Sequence, residues 1–122
     1  MNTTPKFREL QALGRVAFSS ETLGAFCKKW QIAEVCVFGS VLRNDFQDDS
    51  SDLDILITFL PDDPWNLLDL VSMEQELAVL AERNVDLIEK KGIENSRNPI
   101  RKAEILESSQ IIYSRASVYE PA

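Results

Sequence analysis

Two closely spaced aspartates mark the part of this sequence best suited to chemistry. Asp52 and Asp54 lie two residues apart at the start of the run Asp-Leu-Asp-Ile-Leu-Ile-Thr-Phe-Leu, whose other residues are mostly apolar. In an extended strand, residues two apart project from the same face. Two like charges at the mouth of a buried strand repel each other and are poorly hydrated. The pattern predicts either a site for a divalent cation such as Mg²⁺, which carboxylates and substrate phosphates hold together, or an edge strand with one solvated face.

Asp86 is a third carboxylate inside an apolar, strand-like run, Val-Asp-Leu-Ile. It could cap a neighbouring element or pair with Arg83 or Lys90. If its strand lies beside the strand of Asp52 and Asp54, the three carboxylates meet. Such a triad can hold two metal ions about 3.5–4 Å apart, an arrangement that stabilises the attacking and leaving oxygens of an in-line phosphoryl displacement.

Gly39 and Ser40 follow another buried strand and precede a predicted helical turn over Val41–Asn44. Glycine permits close approach of a ligand to the backbone, and the amides at the start of a helix favour phosphate. Arg43, three residues beyond Ser40, falls on the same helical face and could reach phosphate oxygens. A glycine–serine pair is also an ordinary turn in most proteins, so this interpretation depends on the aspartates.

The elements that must position these residues alternate along the chain. Apolar spacing, β-branched runs and cap signals predict a helix, a strand, a helical turn, a strand, a helix, a strand, a helix and a strand. Their predicted bounds are Ser20–Trp30, Glu34–Phe38, Val41–Asn44, Asp52–Leu60, Asp63 to about Glu82, Val85–Glu89, Asn98 to about Glu107 and Ile111–Tyr113. In the long helix, Asp63-Pro64 is the expected cap and first residue. Its expected apolar stripe comprises Leu67, Leu70, Met73, Leu77 and Leu80. This order predicts an α/β or α+β fold, a sheet flanked by helices.

Length and composition set broad limits. With 122 residues, 44% of them hydrophobic, the chain has room for one domain. We expect an N-terminal arm over residues 1–18, a catalytic domain over 19–114 and a flexible tail over 115–122. No apolar run approaches the roughly 20 residues that span a membrane, and no signal-peptide core is present, so a cytoplasmic location is expected. The net charge of −7 weighs against binding nucleic acid, and the lack of histidine excludes His-based triads and the usual zinc sites.

The chain resembles the minimal nucleotidyltransferase family of the polymerase-β-like superfamily in three runs. These are Phe-Gly-Ser-Val-Leu-Arg over 38–43, Ser-Asp-Leu-Asp over 51–54 and Val-Asp-Leu over 85–87. The likeness continues through 65–71 and 100–106, so it covers roughly residues 30–113. One departure is the connection Val41–Ser51, which is one residue longer than is usual in the family. The extra residue falls in a predicted loop, where insertions are tolerated.

The resemblance implies a polymerase-β-like fold with a small mixed sheet and the metal carboxylates on two adjacent strands. By position, the Gly39–Ser40 turn would bind the triphosphate of ATP, with Arg43 as a further phosphate contact. Asp52 and Asp54 would bind Mg²⁺. Asp86 would complete a second metal site and help to deprotonate the acceptor.

Stand-alone proteins of this family and size resemble the antitoxin partners of HEPN-domain toxins. The resemblance therefore implies transfer of AMP from ATP to a tyrosine of a HEPN toxin, within a hetero-oligomer. One alternative is a small-molecule adenylyltransferase of the aminoglycoside-modifying kind, although those usually carry an additional helical domain. Another is a non-catalytic module that neutralises its partner by masking it. Three clustered carboxylates disfavour that alternative, because unused charges would only cost stability.

Overall fold

A four-stranded mixed sheet is the frame of the protein in the computed structural model, which describes residues 6–43, 46 and 51–115. The strands are β1 (Ile32–Phe38), β2 (Leu53–Phe59), β3 (Val85–Glu89) and β4 (Gln110–Ser114), and they lie in the order β3-β2-β1-β4. β1 is antiparallel to β2 and to β4, whereas β2 and β3 are parallel. The helices are α1 (Phe7–Ala12), α2 (Ser20–Lys29), α3 (Leu67–Ala81), α4 (Lys90–Glu94) and α5 (Pro99–Ser108), and a 3₁₀ turn spans Gly39–Leu42. A mixed sheet flanked by helices is the fold class that the sequence predicts.

The two faces of the sheet bury separate apolar clusters. The odd-numbered residues Leu53, Ile55 and Ile57 of β2 belong to the main core, which also contains buried residues of α1, α2 and α3. On the opposite face a smaller core consists of Cys36, Phe38, Leu56, Ile93 and Ile105. Because β2 lies between β3 and β1 and contributes buried residues to both clusters, the alternative of an edge strand with one solvated face is wrong. The two cysteines, Cys27 and Cys36, are free and buried.

The N-terminal segment packs into the main core. Leu10, Val16 and Phe18 are all buried there. The division between an arm ending at residue 18 and a domain starting at residue 19 remains a prediction, but this segment contributes to the same core as the rest of the chain. Residues 116–122 of the predicted tail lie outside the described residues.

The start of α3 differs from the prediction. Asp63-Pro64 does not begin the helix, because Asn66 is the cap. The Asn66 side chain accepts a hydrogen bond from the Asp69 amide at 3.0 Å, and the Asp69 carboxylate accepts one from the Asn66 amide at 2.9 Å. This reciprocal capping box fixes the first helical residue at Leu67. The Asp63 carboxylate instead accepts the Trp65 amide at 3.3 Å, within the preceding turn.

Two further predictions about helices need correction. Leu67 was expected in the buried stripe of α3, but it is 75% exposed, while Met73 and Leu77 are fully buried as predicted. α4 was not predicted, since it is short and contains Gly92, although it carries Ile93 into the smaller core. The predicted cap of α5 is confirmed by Asn98, whose side chain accepts the Arg101 amide at 3.1 Å. None of the described helices combines the length and the apolar character required to cross a bilayer.

Candidate active site

Carboxylates from two neighbouring strands lie at the same end of the sheet, where β2 and β3 begin. Asp54 of β2 and Asp86 of β3 are register partners on adjacent parallel strands, so their side chains stand on the same face. Asp52 immediately precedes β2, two residues before Asp54, and shares that face by the period of an extended chain. Asp52 and Asp86 are exposed, and Asp54 is half-buried. The Asp86 strand therefore lies beside the Asp52–Asp54 strand, which is the condition that the sequence argument set for the three carboxylates to meet.

The electrostatic environment of Asp54 follows from this arrangement. Burial raises the pKa of its carboxyl, and the negative charges of Asp86 and Asp52 raise it further. The Arg43 guanidinium acts in the opposite direction and lowers the pKa. The ionised form of Asp54 is therefore disfavoured by its surroundings. A bound cation would favour the ionised form, since an opposite charge nearby stabilises a carboxylate.

Gly39 brings the end of β1 against Asp54. Its φ of +76° belongs to the left-handed region, where glycine carries no steric penalty. A Cβ at this position would overlap the Asp54 Oδ2 atom. Phe38, the last residue of β1, pairs with Asp54 across the sheet. The turn that begins with Gly39 and Ser40 is consequently fixed beside the half-buried carboxylate. Its binding of phosphate stays a prediction.

The donor set fits a hard divalent cation. Carboxylate oxygens are the protein ligands that Mg²⁺ prefers, and waters and substrate phosphates usually complete its coordination. The side chains that could hold it are Asp52, Asp54 and Asp86. Over the described residues, no group of three or more His, Cys, Asp or Glu side chains is arranged so that it could by itself hold a metal ion. The three aspartates share a face and an electrostatic field, and waters and substrate phosphates would complete the coordination of a cation held there.

The two bases considered as structural partners for Asp86 bind other groups. Arg83 Nη1 donates a hydrogen bond to the Ser51 carbonyl at 3.0 Å. Lys90 Nζ lies 3.4 Å from Glu34 Oε1, at the opposite end of the sheet. Neither contact leads to Asp86. The alternative in which Asp86 serves only to pair with one of these bases is therefore not what the structure shows.

Two arginines contact the segments that carry the site residues. The sequence analysis did not predict a functional role for either of them. Arg15, just after α1, donates to the carbonyls of Val41 and Arg43. Arg83 contacts Ser51, the residue before Asp52. No sequence signal identified these roles, because both contacts join positions far apart in the chain. Arg43 itself is exposed at the end of the 3₁₀ turn.

The mixed sheet, the glycine–serine turn and the in-register aspartates define a nucleotidyltransferase-type fold and site. The chain belongs to the nucleotidyltransferase domain family, whose sequence model matches residues 19–112. This match confirms the resemblance noted from the three motif runs and the predicted class, nucleotidyltransferase.

Two sequence relatives are candidate protein adenylyltransferases of Methanocaldococcus jannaschii. This chain is 41% identical to one over 68 residues and 38% identical to the other over 68 residues. Each alignment covers 56% of this chain and 66% of the relative. The chain therefore matches slightly less than two-thirds of the length of these relatives.

Solved structures with the same fold include a candidate minimal nucleotidyltransferase, with 25% identity and a TM-score of 0.58, covering 88% of this chain and 97% of that one. A toxin–antitoxin structure with AMP-PNP has 15% identity and a TM-score of 0.60, covering 80% and 74% of the two chains. A tri-AMPylated HEPN toxin of Shewanella oneidensis in complex with an MNT antitoxin gives 15% identity, a TM-score of 0.55 and coverage of 88% and 76%. The last two likenesses establish a shared fold.

Proposed function

We propose that this chain is a Mg²⁺-dependent protein adenylyltransferase that transfers AMP from ATP to a tyrosine hydroxyl of a HEPN-domain partner and thereby acts as its antitoxin. The observation that carries the proposal is the register of Asp54 with Asp86 on parallel strands, beside the Gly39 turn. Three carboxylates next to a glycine–serine turn suit the transfer of a phosphorylated group, whose charge needs cations and backbone amides.

In this proposal the acceptor oxygen attacks the α-phosphorus of ATP. A new P–O bond forms, the bond to the β-phosphate oxygen breaks, and pyrophosphate leaves. Gly39 and Ser40 bind the triphosphate, and Arg43 contacts a phosphate oxygen. Asp52 and Asp54 would hold Mg²⁺, and Asp86 would complete a second metal site and help to take the proton of the acceptor hydroxyl. Bound Mg²⁺ would supply positive charge to the phosphate oxygens.

The proposed role of Arg43 has electrostatic support. Its side chain is exposed, and its charge lowers the pKa of Asp54, so it lies within electrostatic range of the proposed metal carboxylates. Arg43 also follows the Gly39–Leu42 turn directly. A guanidinium at this position is suited to phosphate, because it presents several donors in a planar fork.

The similar proteins support a protein as the acceptor of AMP. The M. jannaschii relatives are candidate protein adenylyltransferases. One structural neighbour is an MNT antitoxin bound to an AMPylated HEPN toxin. By analogy, we assign this chain a HEPN protein as partner in a hetero-oligomer, with ATP as the nucleotide and the cytoplasm as the location.

The proposal is tested with α-labelled ATP, Mg²⁺ and the co-expressed HEPN partner. We expect label on a partner tyrosine, and we expect the Asp52→Asn, Asp54→Asn double variant to lose transfer while it still folds and binds the partner. The matched control is Asp62→Asn, Asp63→Asn, which makes the same change in charge in a turn outside the site. This control should retain transfer.

Two other results would replace the proposal. If toxicity is relieved without label and the Asp52→Asn, Asp54→Asn variant still neutralises the partner, the chain is a masking module. If label appears on an added aminoglycoside and not on protein, it is a small-molecule adenylyltransferase. Either result contradicts transfer to a HEPN tyrosine.

A further inference from the structure

Arg15 holds the end of the glycine–serine turn. Its Nη1 donates hydrogen bonds to the Val41 carbonyl at 2.9 Å and to the Arg43 carbonyl at 2.9 Å. One guanidinium nitrogen thus fixes two carbonyl groups of the turn that begins at Gly39. Arg15 lies outside residues 19–112, the part of the chain that matches the family model.

Arg83 holds the chain just ahead of the metal carboxylates. It lies between α3 and β3, and its Nη1 donates to the Ser51 carbonyl at 3.0 Å. Ser51 directly precedes Asp52. The following residue of the same connection, Asn84, accepts the amide of Leu53 at 2.9 Å. The segment before β3 is therefore hydrogen-bonded to the start of β2 at two points, through Arg83 and through Asn84.

The two arginines also share one aromatic ring. The guanidinium carbon of Arg15 lies 5.3 Å from the centroid of Phe46, and that of Arg83 lies 4.6 Å from it. Both distances are within the range of cation–π attraction. Phe46 is buried in the main core, and it belongs to the connection between the turn and the carboxylates. We call Arg15, Phe46 and Arg83 the clamp.

Stability alone does not account for the clamp. The Nε atom of Arg83 is buried and has no hydrogen-bond partner. A buried donor without an acceptor costs free energy, and two guanidinium groups around one ring repel each other. An apolar side chain in place of Arg83 would avoid both costs. The presence of two arginines is better explained by the backbone carbonyls that they hold, those of Val41, Arg43 and Ser51.

We infer that Arg15 and Arg83 are positioning residues that set the spacing between the Arg43 end of the turn and Asp52, the two parts of the site that the pairing of Phe38 with Asp54 does not hold directly. This inference rests on the proposed function, since that spacing would place the nucleotide phosphates against the metal carboxylates. The pairing of Phe38 with Asp54 fixes Gly39 beside Asp54. The eleven-residue connection Val41–Ser51 joins the parts of the site that this pairing does not hold directly. The clamp ties the connection at both ends and at Phe46. A displacement of about 1 Å at reacting groups can cost about 100-fold in rate, so such ties matter for turnover.

The test compares Arg15→Met and Arg83→Met with Arg8→Met, a matched loss of an exposed arginine on α1 outside the clamp. We expect each clamp variant to lower kcat of AMP transfer by about 10- to 100-fold and to raise the Mg²⁺ concentration for half-maximal activity. The KM for the acceptor should stay within about twofold, because the clamp does not contact the acceptor in this proposal. Arg8→Met should match the parent in all three measurements.

A double-mutant cycle gives the sharper measurement. If the arginines act on one spacing, the Arg15→Met, Arg83→Met double variant should lose little more kcat than the worse single variant. Independent packing effects would instead multiply. Arg15→Lys keeps the charge and should recover part of the lost kcat. If thermal melting shows that Arg15→Met folds poorly, Arg15→Lys replaces it in the comparison.

A structural readout needs neither acceptor nor nucleotide. Amide hydrogen exchange should rise at least about tenfold over residues 39–43 in Arg15→Met and over 51–54 in Arg83→Met. Unchanged exchange together with unchanged kcat in folded variants would overturn the inference. If the parent binds Mg²⁺ and AMP-PNP but labels no protein, the acceptor assignment fails, and the clamp is judged by the affinity for AMP-PNP. If the parent does not bind the nucleotide, the proposed function and the clamp inference both fail.

Discussion

Acidic residues at the two ends of one sheet face have neighbours of different charge. At the site end, Asp54 faces Asp86 and Asp52, and these like charges raise its pKa. At the far end, Glu34 lies 3.4 Å from Lys90, in a cavity of about 500 Å³. That cavity is also lined by Asp62, Asp63, Glu89, Lys91 and Glu94, so acids outnumber bases around it.

The apolar cluster of Cys36, Phe38, Leu56, Ile93 and Ile105 lies on this face. The chain thus has lysines available on this face and uses one to balance Glu34. It leaves Asp54 among other carboxylates, with Arg43 as the cation that lowers its pKa. The difference lies in the nearest partner: Glu34 has a lysine within ion-pair distance, whereas Asp54 lies among carboxylates, as the proposed cation site requires.

The largest expected effect comes from breaking the site end. Asp54→Asn should reduce AMP transfer by at least about 1,000-fold, because metal stabilisation of phosphoryl charge is worth several kcal/mol. Its melting temperature without metal should equal or exceed that of the parent, since a disfavoured charge is removed. Glu34→Gln is the counterpart at the far end and should retain transfer. A marked fall in the melting temperature of Asp54→Asn would contradict the account of repelling carboxylates.

A smaller effect is expected when the glycine turn is pushed away from Asp54. Gly39→Ala places a Cβ against the Asp54 carboxylate and also carries the left-handed strain of about 1–2 kcal/mol. Gly14→Ala is a matched control, because Gly14 has φ +73° with no atom within 4 Å of the added Cβ. Denaturant unfolding should show similar strain in both variants and an additional loss in Gly39→Ala. Only Gly39→Ala should also impair transfer. If the two variants lost equal free energy of unfolding, contact with Asp54 would not contribute to the effect of Gly39→Ala.

The pH dependence of stability should separate the site end from the rest of the molecule. A raised pKa means that folded Asp54 binds its proton more tightly than the unfolded chain does. Without metal, stability therefore falls as pH rises from the ordinary carboxyl pKa through the raised pKa of Asp54, and it stays lower above that range. Asp54→Asn should lack this contribution. At neutral pH, Mg²⁺ at 100 times its dissociation constant should stabilise the parent by about 2.7 kcal/mol, and Asp54→Asn far less.

The smallest effect is expected at the far end. Lys90→Met removes the partner of Glu34, a pair whose side chains are 32% and 25% exposed. Partly exposed ion pairs typically contribute about 0–1 kcal/mol, so the free energy of unfolding should change by no more than that. Transfer activity should be unaffected. A large loss of transfer would show that the two ends are coupled through the smaller core.

The strands, and the face of the sheet that each aspartate takes, were the predictable part of this protein, while the roles of the site residues stay predictions. β3 occupies its predicted bounds, and the predictions for β1 and β2 overlap the strands closely. Apolar runs of this length fold as strands wherever a sheet can bury them, and the two-residue period then decides which aspartates share a face. The adjacency of β2 and β3 was only a condition of the sequence argument, and their register is a result of tertiary structure.

Other features depended on competition that the sequence pattern does not resolve. Asp63-Pro64 and Asn66 both offer a helix start, and Asn66 prevails because Asp69 returns a second hydrogen bond to it. α4 forms because Ile93 finds the smaller core, despite a glycine within five residues. The roles of Arg15 and Arg83 require contacts across 26 and 32 residues of chain. Such contacts exist only once the fold has formed.

The in-register pairing of Asp54 and Asp86 makes the two connections around the site unequal in their tolerance of length changes. The connection from Ser40 to Asp52 precedes β2 and does not lie between the two paired aspartates, whereas the connection between α3 and β3 leads directly to Asp86. Deleting one residue between α3 and β3 would shift that strand by one position if the helix stays in place. Leu87 would then stand where Asp86 now does, and the carboxylate would point into the main core. A change of two residues would keep Asp86 on its face but move it out of register with Asp54.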